Sequence, residues 1–271
     1  MPELPEVETT RRGIEPYLRG RRVLRLDLYE SRLRWRVADD LPERVRGSRV
    51  KDVARRAKYL LLHLEAGTLL VHLGMSGSLR VLRAGAERSK HDHFDLVLDS
   101  GDCIRFNDPR RFGSLHLTDA APDLHPLLRN LAPEPLSEQF TADYLWRVTR
   151  GRRVAIKQLL MMSHLVVGVG NIYANEALFR AGIRPRRAAR SLRRAEVTKL
   201  VRAVRQVLGL ALRAGGTTLR DYVRVDGEPG YFRQRLYVYE RAGQPCRNCA
   251  TPIKHLVQQQ RSSYYCPSCQ H

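Results

Sequence analysis

Residues 55–82 read RRAKYLLLHLEAGTLLVHLGMSGSLRVL, and this stretch decides the architecture of the first half of the chain. Residues 59–64, 68–73 and 78–82 are apolar runs of strand length, parted by turns at Gly67 and Gly77. Outward from it the same pattern recurs at residues 22–28, 94–98 and 103–106, with Ser100-Gly101 as a further turn. Ahead of these strands, residues 5–18 carry a helical pattern that opens on Pro5, Glu6 and Glu8, residues suited to a first helical turn. One helix followed by many short strands predicts an antiparallel sandwich of two sheets.

The pattern changes at Leu131-Ala132-Pro133-Glu134-Pro135, whose prolines suit a linker and not a strand interior. Residues 141–149, 154–163, 171–181 and 191–214 then read as helices. The last has Val197, Leu200, Val201, Val204, Leu208 and Ala211 on one face, Ser191 as its expected cap and Gly215-Gly216 as its stop. Short strands return after Tyr231. The chain is therefore predicted to be an α+β multidomain protein: a β-sandwich with its N-terminal helix over 1–133, a helical domain over 134–230 and a cysteine-bearing tail over 231–271.

Of the 271 residues, 48 are Lys or Arg and 28 Asp or Glu, a formal charge of +20, with a pI near 10.5. That balance points to a polyanion partner, nucleic acid above all. Only six of the basic residues are lysines, and the excess of guanidinium suits bidentate phosphate and base-edge contacts. The sequence shows neither a long apolar run nor a basic-then-apolar leader, which predicts a cytosolic chain without a membrane span.

Cys246 and Cys249, then Cys266 and Cys269, form two pairs separated by sixteen residues, the two-knuckle spacing that surrounds one tetrahedral Zn²⁺. With every position filled by protein, that ion is structural. The fifth cysteine, Cys103, reads as a packing residue. At the other end, loss of Met1 leaves Pro2 with a secondary amine beside the Glu3 carboxylate, a nucleophile next to an acid. An α-amino group titrates near ~7.7–8.0 against ~10.4 for lysine, so far more of it is neutral at pH 7. The same residues also suit an ordinary helix start. Lys58 stands before an apolar strand and is either a solvated charge or a group within reach of a ligand. Lys90-His91-Asp92-His93 and the loop from Asn107 to Gly113 mix basic groups with an aromatic, a combination suited to phosphate contact and base stacking. Two histidines at that spacing equally suit a metal or a strand. Residues 166–171, VVGVGN, are either a tight turn or a phosphate-binding helix start capped by Asn171.

Taken together, MPELPEVET (1–9), RAKYLL (56–61), HLGMSG (72–77), DPRRFG (108–113), VGVGNIY (167–173) and the four cysteines resemble formamidopyrimidine-DNA glycosylase, in order from residue 1 to 269. The resemblance implies a sandwich, a helix-two-turn-helix domain and a zinc finger. It implies a bifunctional repair enzyme that excises oxidised purines from damaged double-stranded DNA and then cleaves the strand by β,δ-elimination. A bacterial cytoplasmic monomer, at the nucleoid through DNA, is the expected state. By resemblance Pro2 is the nucleophile, Glu3 the first proton donor, Lys58 the donor for β-elimination and Arg261 the donor linked to δ-elimination. An arginine releases a proton in water with difficulty, so Arg261 reads mainly as a phosphate clamp. Met75, Arg110 and Phe112 resemble the plug that replaces an extruded nucleotide, while His91, Arg152, Lys157 and Asn171 match positions that grip DNA. The loop near residues 217–227 matches one that closes over the extruded base.

Two positions depart from the family pattern. Gln260 stands where glycine commonly precedes the arginine, which bears on the loop geometry, and Arg152 stands where lysine is often found. Endonuclease VIII-like enzymes, which prefer oxidised pyrimidines, and a non-enzymatic zinc-ribbon DNA-binding protein are the alternatives. The residues at Leu4, Met75 and Arg110 favour the purine enzyme, and the second alternative leaves the Pro2-Glu3 pair unexplained.

Overall fold

The computed structural model describes residues 2–216 and 236–271, which fall into two compact units: residues 2–130 with 214–216, and residues 131–213 with 236–271. Among the described residues, no helix is long and apolar enough to cross a membrane.

The first unit opens on helix α1 (Leu4–Leu18), whose buried face carries Leu4, Val7, Ile14 and Leu18. Eight strands follow: β1 (Val23–Leu28), β2 (Val50–Arg56), β3 (Tyr59–Leu64), β4 (Gly67–His72), β5 (Ser78–Arg83), β6 (Asp92–Leu98), β7 (Asp102–Asn107) and β8 (Ser114–Thr118), with the one-turn helix α2 (Leu41–Val45) between β1 and β2. They form two four-stranded antiparallel sheets, ordered β1-β6-β7-β5 and β2-β3-β4-β8. The predicted sandwich is present. Its core joins α1 to both sheets through Val7, Leu60, Leu62, Leu69, Phe94, Ile104 and Phe106, with the rings of Phe94 and Phe106 stacked at 5.1 Å.

β2 was not legible as a strand, and its register supplies the reason. An irregularity between Val50 and Asp52 shifts the phase of the strand, so Val50 and Val53, three residues apart, are both buried. The two-residue alternation that marks a half-buried strand is thereby erased. β8 is a short edge strand directly after a charged loop and was likewise missed. Arg105 on β7 sits opposite Asp95 on β6 and is almost wholly buried. Its guanidinium donates to both Asp95 oxygens (2.8 and 2.7 Å) and to the carbonyls of Ala86 and Glu87, so a buried charge is fully partnered. Cys103, beside it on β7, is buried as a packing residue.

The second unit holds α3 (Ala142–Thr149), α4 (Ile156–Leu160), α5 (Asn171–Ala181), α6 (Arg194–Arg213) and the antiparallel hairpin of β9 (Lys254–Gln258) and β10 (Arg261–Tyr265). Thr141 caps α3 by accepting the Tyr144 N–H at 3.0 Å. α6 buries the apolar stripe read from its sequence. Two expected caps are corrected. Ser191 belongs to a separate short turn, and α6 starts at Arg194 with Glu196 reaching back to the Arg193 N–H at 2.7 Å. Gly170, not Asn171, is the N-cap of α5, because an extended φ of −120° there lets Asn171 enter the helix itself. α4 is also shorter than its sequence pattern.

α5 is buried along nearly its whole length and serves as the post on which the tail is hung. Glu176, 1% exposed, accepts the backbone N–H groups of Tyr237 (2.9 Å), Val238 (2.9 Å) and Tyr239 (3.0 Å). Burial pushes its carboxyl above the ordinary range, against the pull of those three donors. Asn175 accepts the Tyr264 N–H at 2.8 Å, and Gln270 bridges the Cys266 N–H and the Ile183 carbonyl. Leaving a buried donor unmatched costs about 1–3 kcal/mol. Glu176→Ala strips three donors at once and is expected to destabilise the protein by about 3 kcal/mol or more, read as a shift in the urea midpoint. A midpoint within experimental error of the parent would contradict this account.

Candidate functional site

The chemistry-bearing residues of the first unit are assembled by a chain of contacts that begins at α1. Pro2 is buried at its entrance. Glu3, 1% exposed, is the N-cap in extended conformation and donates its N–H to the Glu6 carboxylate at 2.9 Å. Glu6 is in turn crowded by Gly216, where a Cβ would stand 3.1 Å from Glu6 Oε1 and where φ is +83°. One turn further, Glu8 takes Arg11, Arg12 and Arg55; burial opposes its charge, and these arginines bring its carboxyl below the ordinary range. Arg55 also donates to the Ala57 carbonyl at 2.8 Å. Ala57 and Lys58 form the two-residue turn between β2 and β3, closed by the Arg56–Tyr59 pair, and Ala57 takes a left-handed φ of 53°. Lys58 therefore stands at the end of the β2–β3 pair, in a turn tied to α1.

Beyond the turn, Tyr59 pairs with His72 across β3 and β4, their rings 4.8 Å apart. His72 Nδ1 accepts the Gly74 N–H at 3.0 Å, which fixes its protonated nitrogen as Nε2. Its pKa is lowered to about 4, first by burial and then by the charges of Lys58 and Arg34. His72 is thus a neutral imidazole bonded to the loop carrying Met75. The residue was not singled out in the sequence, although its place at the head of the HLGMSG motif was a signal.

Met75 (37% exposed) and Phe112 (42% exposed) are large apolar side chains held out in water, and the Arg110 guanidinium lies 4.8 Å over the Phe112 ring. Their loops are in backbone contact. Gly74 has φ +66°, and a Cβ there would come within 2.5 Å of both the Phe112 carbon and the Gly113 nitrogen. Only glycine permits that approach. His91 lines an open groove of about 570 Å³ with Tyr29, Arg88, Lys90 and Arg111.

In the second unit the four cysteines converge. Their sulfurs lie within 4.8 Å of one another, with separations of 3.4 Å (Cys249–Cys269), 3.5 Å (Cys249–Cys266) and 4.0 Å (Cys246–Cys269). A tetrahedral ion with Zn–S bonds of about 2.3 Å needs sulfurs about 3.8 Å apart, so the donor set fits. The backbone N–H groups of Asn248 and Cys269 point at the Cys246 and Cys266 sulfurs, each at 3.4 Å. Lys157, 1% exposed, donates to Ser262 O and Ser263 Oγ, both at 2.6 Å, and so secures the hairpin from α4. Lys157, Arg261, Met161, Met162 and Gln259 border a cavity of about 220 Å³. Asn171 opens α5 with its side-chain oxygen buried and unmatched, and Arg152 is exposed with Nε on the Val148 carbonyl. The turn before Arg261 keeps its two-residue form without glycine, as Gln259 and Gln260 adopt φ of 45° and 60°. Residues 217–227, read as a closing loop, lie outside the described residues.

Residues 1–115 match the formamidopyrimidine-DNA glycosylase N-terminal domain, residues 131–223 the H2TH domain of the same enzyme, and residues 243–271 the zinc finger found in FPG and IleRS. The chain belongs to the formamidopyrimidine-DNA glycosylase family. It is 61% identical to the formamidopyrimidine-DNA glycosylase of Thioalkalivibrio sulfidiphilus and 53% identical to that of Pseudomonas aeruginosa, over the full length of each protein. The crystal structure of the Thermus thermophilus MutM (Fpg) protein superposes with a TM-score of 0.87 at 41% identity, covering 99% of this chain and 98% of that one. A Lactococcus lactis Fpg mutant in complex with Fapy-dG containing DNA gives 0.93 at 30% identity over all of both chains. Within this family the cluster of Cys246, Cys249, Cys266 and Cys269 is the site of one structural zinc.

Structural zinc contributes on the order of 10 kcal/mol of coupled folding energy to isolated fingers. Chelation, or Cys249→Ser, is therefore expected to lower the melting temperature of this protein; an identical melt in a verified metal-free sample would sink the assignment. For His72, the folded ring stays neutral down to about 4, while the unfolded chain takes a proton below 6.5. Its contribution is complete above pH 6.5 and lost as the pH falls toward 4. The stability of the parent is expected to fall across that window more steeply than that of His72→Asn, which keeps an acceptor for Gly74; parallel pH profiles would contradict it.

Proposed function

We propose that this protein removes oxidised purines, 8-oxoguanine and formamidopyrimidines, from duplex DNA and cleaves the strand at the resulting abasic site. The observation that carries the reading is the entrance of α1, where Pro2 directly precedes a buried carboxylate whose backbone is locked to Glu6. With Met1 removed, the Pro2 nitrogen donates its lone pair to C1′ of the damaged nucleotide. The bond from C1′ to the base breaks, and the base leaves with the bonding electrons and takes up the proton that the Pro2 nitrogen loses. Glu3, as first proton donor, assists opening of the sugar, and the nitrogen becomes a cationic iminium. That cation is an electron sink. It acidifies C2′, so loss of a C2′ proton expels the 3′ phosphate, and a second elimination releases the 5′ phosphate.

Lys58 is the proton donor in the first elimination, in a turn that the Glu8–Arg55 pair connects to α1. Arg261 serves at the DNA backbone for the second. Extruding the nucleotide costs a few kcal/mol of stacking, which side chains entering the gap repay. Met75 and Phe112 fill the gap, and Arg110 donates two hydrogen bonds to the cytosine left unpaired. His91, Arg152 and Asn171 grip the phosphates, and Lys157 acts at one remove, by holding the β9–β10 hairpin that carries Arg261. The enzyme is expected to act in the cytoplasm.

Borohydride reduces an iminium to a stable amine, so incubation with an 8-oxoguanine duplex is expected to leave a covalent protein–DNA adduct. Pro2→Gly should slow formation of that adduct by at least about tenfold, equivalent to about 1.4 kcal/mol of barrier. Equal trapping by the variant would refute the nucleophile. Faster excision of thymine glycol than of 8-oxoguanine would favour an oxidised-pyrimidine enzyme.

A further inference from the structure

We propose that Asp108 and Ser76 are positioning residues that hold Met75, Arg110 and Phe112 as one rigid unit and thereby set discrimination of the base opposite the lesion. The inference rests on the reading above, in which those three side chains enter the duplex.

Asp108 is wholly buried at the exit of β7 and touches three loops at once. Its Oδ1 accepts the Ser76 hydroxyl at 2.6 Å and the Arg110 N–H at 3.3 Å, and its Oδ2 accepts the Gly113 N–H at 2.8 Å. Its carbonyl accepts from His93 Nε2 at 2.7 Å and from the Arg111 N–H at 3.1 Å. A carbonyl only accepts, so the proton of His93 is on Nε2. The Asp108 N–H donates to the His91 carbonyl at 3.0 Å. One residue therefore joins the Met75–Ser76 loop, the Arg110–Gly113 loop and the His91–His93 segment.

The glycines make the joint close. Gly113 lies where a Cβ would meet the Phe106 ring at 2.5 Å, and Gly77 where it would meet the same ring at 2.9 Å, so both loops rest on one core aromatic. A short, charge-assisted bond from a hydroxyl to a fully buried carboxylate is strong and directional. Reading a base with a bidentate guanidinium demands placement of that fork to a fraction of an ångström. Arg110 has its own flexible stem; the carboxylate supplies the rigidity by fixing the backbone N–H groups of Arg110 and Gly113, on either side of Phe112. Asp108 touches no base itself.

The test compares kcat/KM for 8-oxoguanine opposite cytosine and opposite adenine in the zinc-loaded full chain, for the parent, Ser76→Ala, Asp108→Asn and Arg110→Ala. The ratio of two substrates on one preparation cancels the folded fraction, so loss of stability alone does not move it. Ser76→Ala removes one hydroxyl without adding volume, and Asp108→Asn keeps the shape while placing an NH₂ group among donors. Both are expected to lower the cytosine-to-adenine ratio by about threefold or more, in the same direction as Arg110→Ala. An unchanged ratio in both positioning variants, with Arg110→Ala altered, overturns this inference and leaves the proposed function standing. An unchanged ratio in all three removes the reading of Arg110 and this inference with it.

Discussion

A carboxylate taken out of water must be surrounded by donors, and this constraint recurs at four junctions among the described residues. Glu6 gathers the N–H at the entrance of α1, Asp95 takes the fork of Arg105, Asp108 gathers two surface loops, and Glu176 gathers the segment leading into the zinc hairpin. Each of these groups is an anchor because it cannot be left half-partnered. A surface loop bound to a buried carboxylate loses the freedom that loops ordinarily have, which is what the proposed wedge of Met75 and Phe112 requires.

The arginine content has a second meaning in this light. Arg105 holds the carbonyls of Ala86 and Glu87, Arg205 those of Ser137 and Phe140, and Arg184 that of Gln270. A guanidinium offers five donors in a fixed plane and binds several carbonyls at once, which an ammonium does less well. Part of the excess of Arg over Lys is thus structural cement. Lys157 makes the same point from the other side: a lysine read as a grip on DNA has its ammonium bonded to two groups of β10.

The sandwich was legible because β3 and β4 are apolar, regular and parted by clear turns, and α6 because its stripe repeats at helical spacing over twenty residues. β2 was illegible because its irregularity scrambles the alternation, and the caps at Ser191 and Asn171 were misread because local preference for a capping side chain was outweighed by where the preceding turn delivers the chain. At Gln259-Gln260 the hairpin imposes left-handed conformations on side-chain-bearing residues, since five paired positions of β9 and β10 hold the register.

The four cysteine positions, the proline beside an acid and the glycine-framed motifs are local patterns, and spacing along the chain was enough to state what chemistry they suit. Which groups share a proton, a carbonyl or a ring is a different matter, because it depends on contacts between residues far apart in sequence. Ser76 meets Asp108 across 32 positions, and Lys157 meets Ser263 across 106. Residue type and spacing record the capacity to bond; only the packed fold brings donor and acceptor within about 3 Å and excludes the water that would otherwise satisfy both.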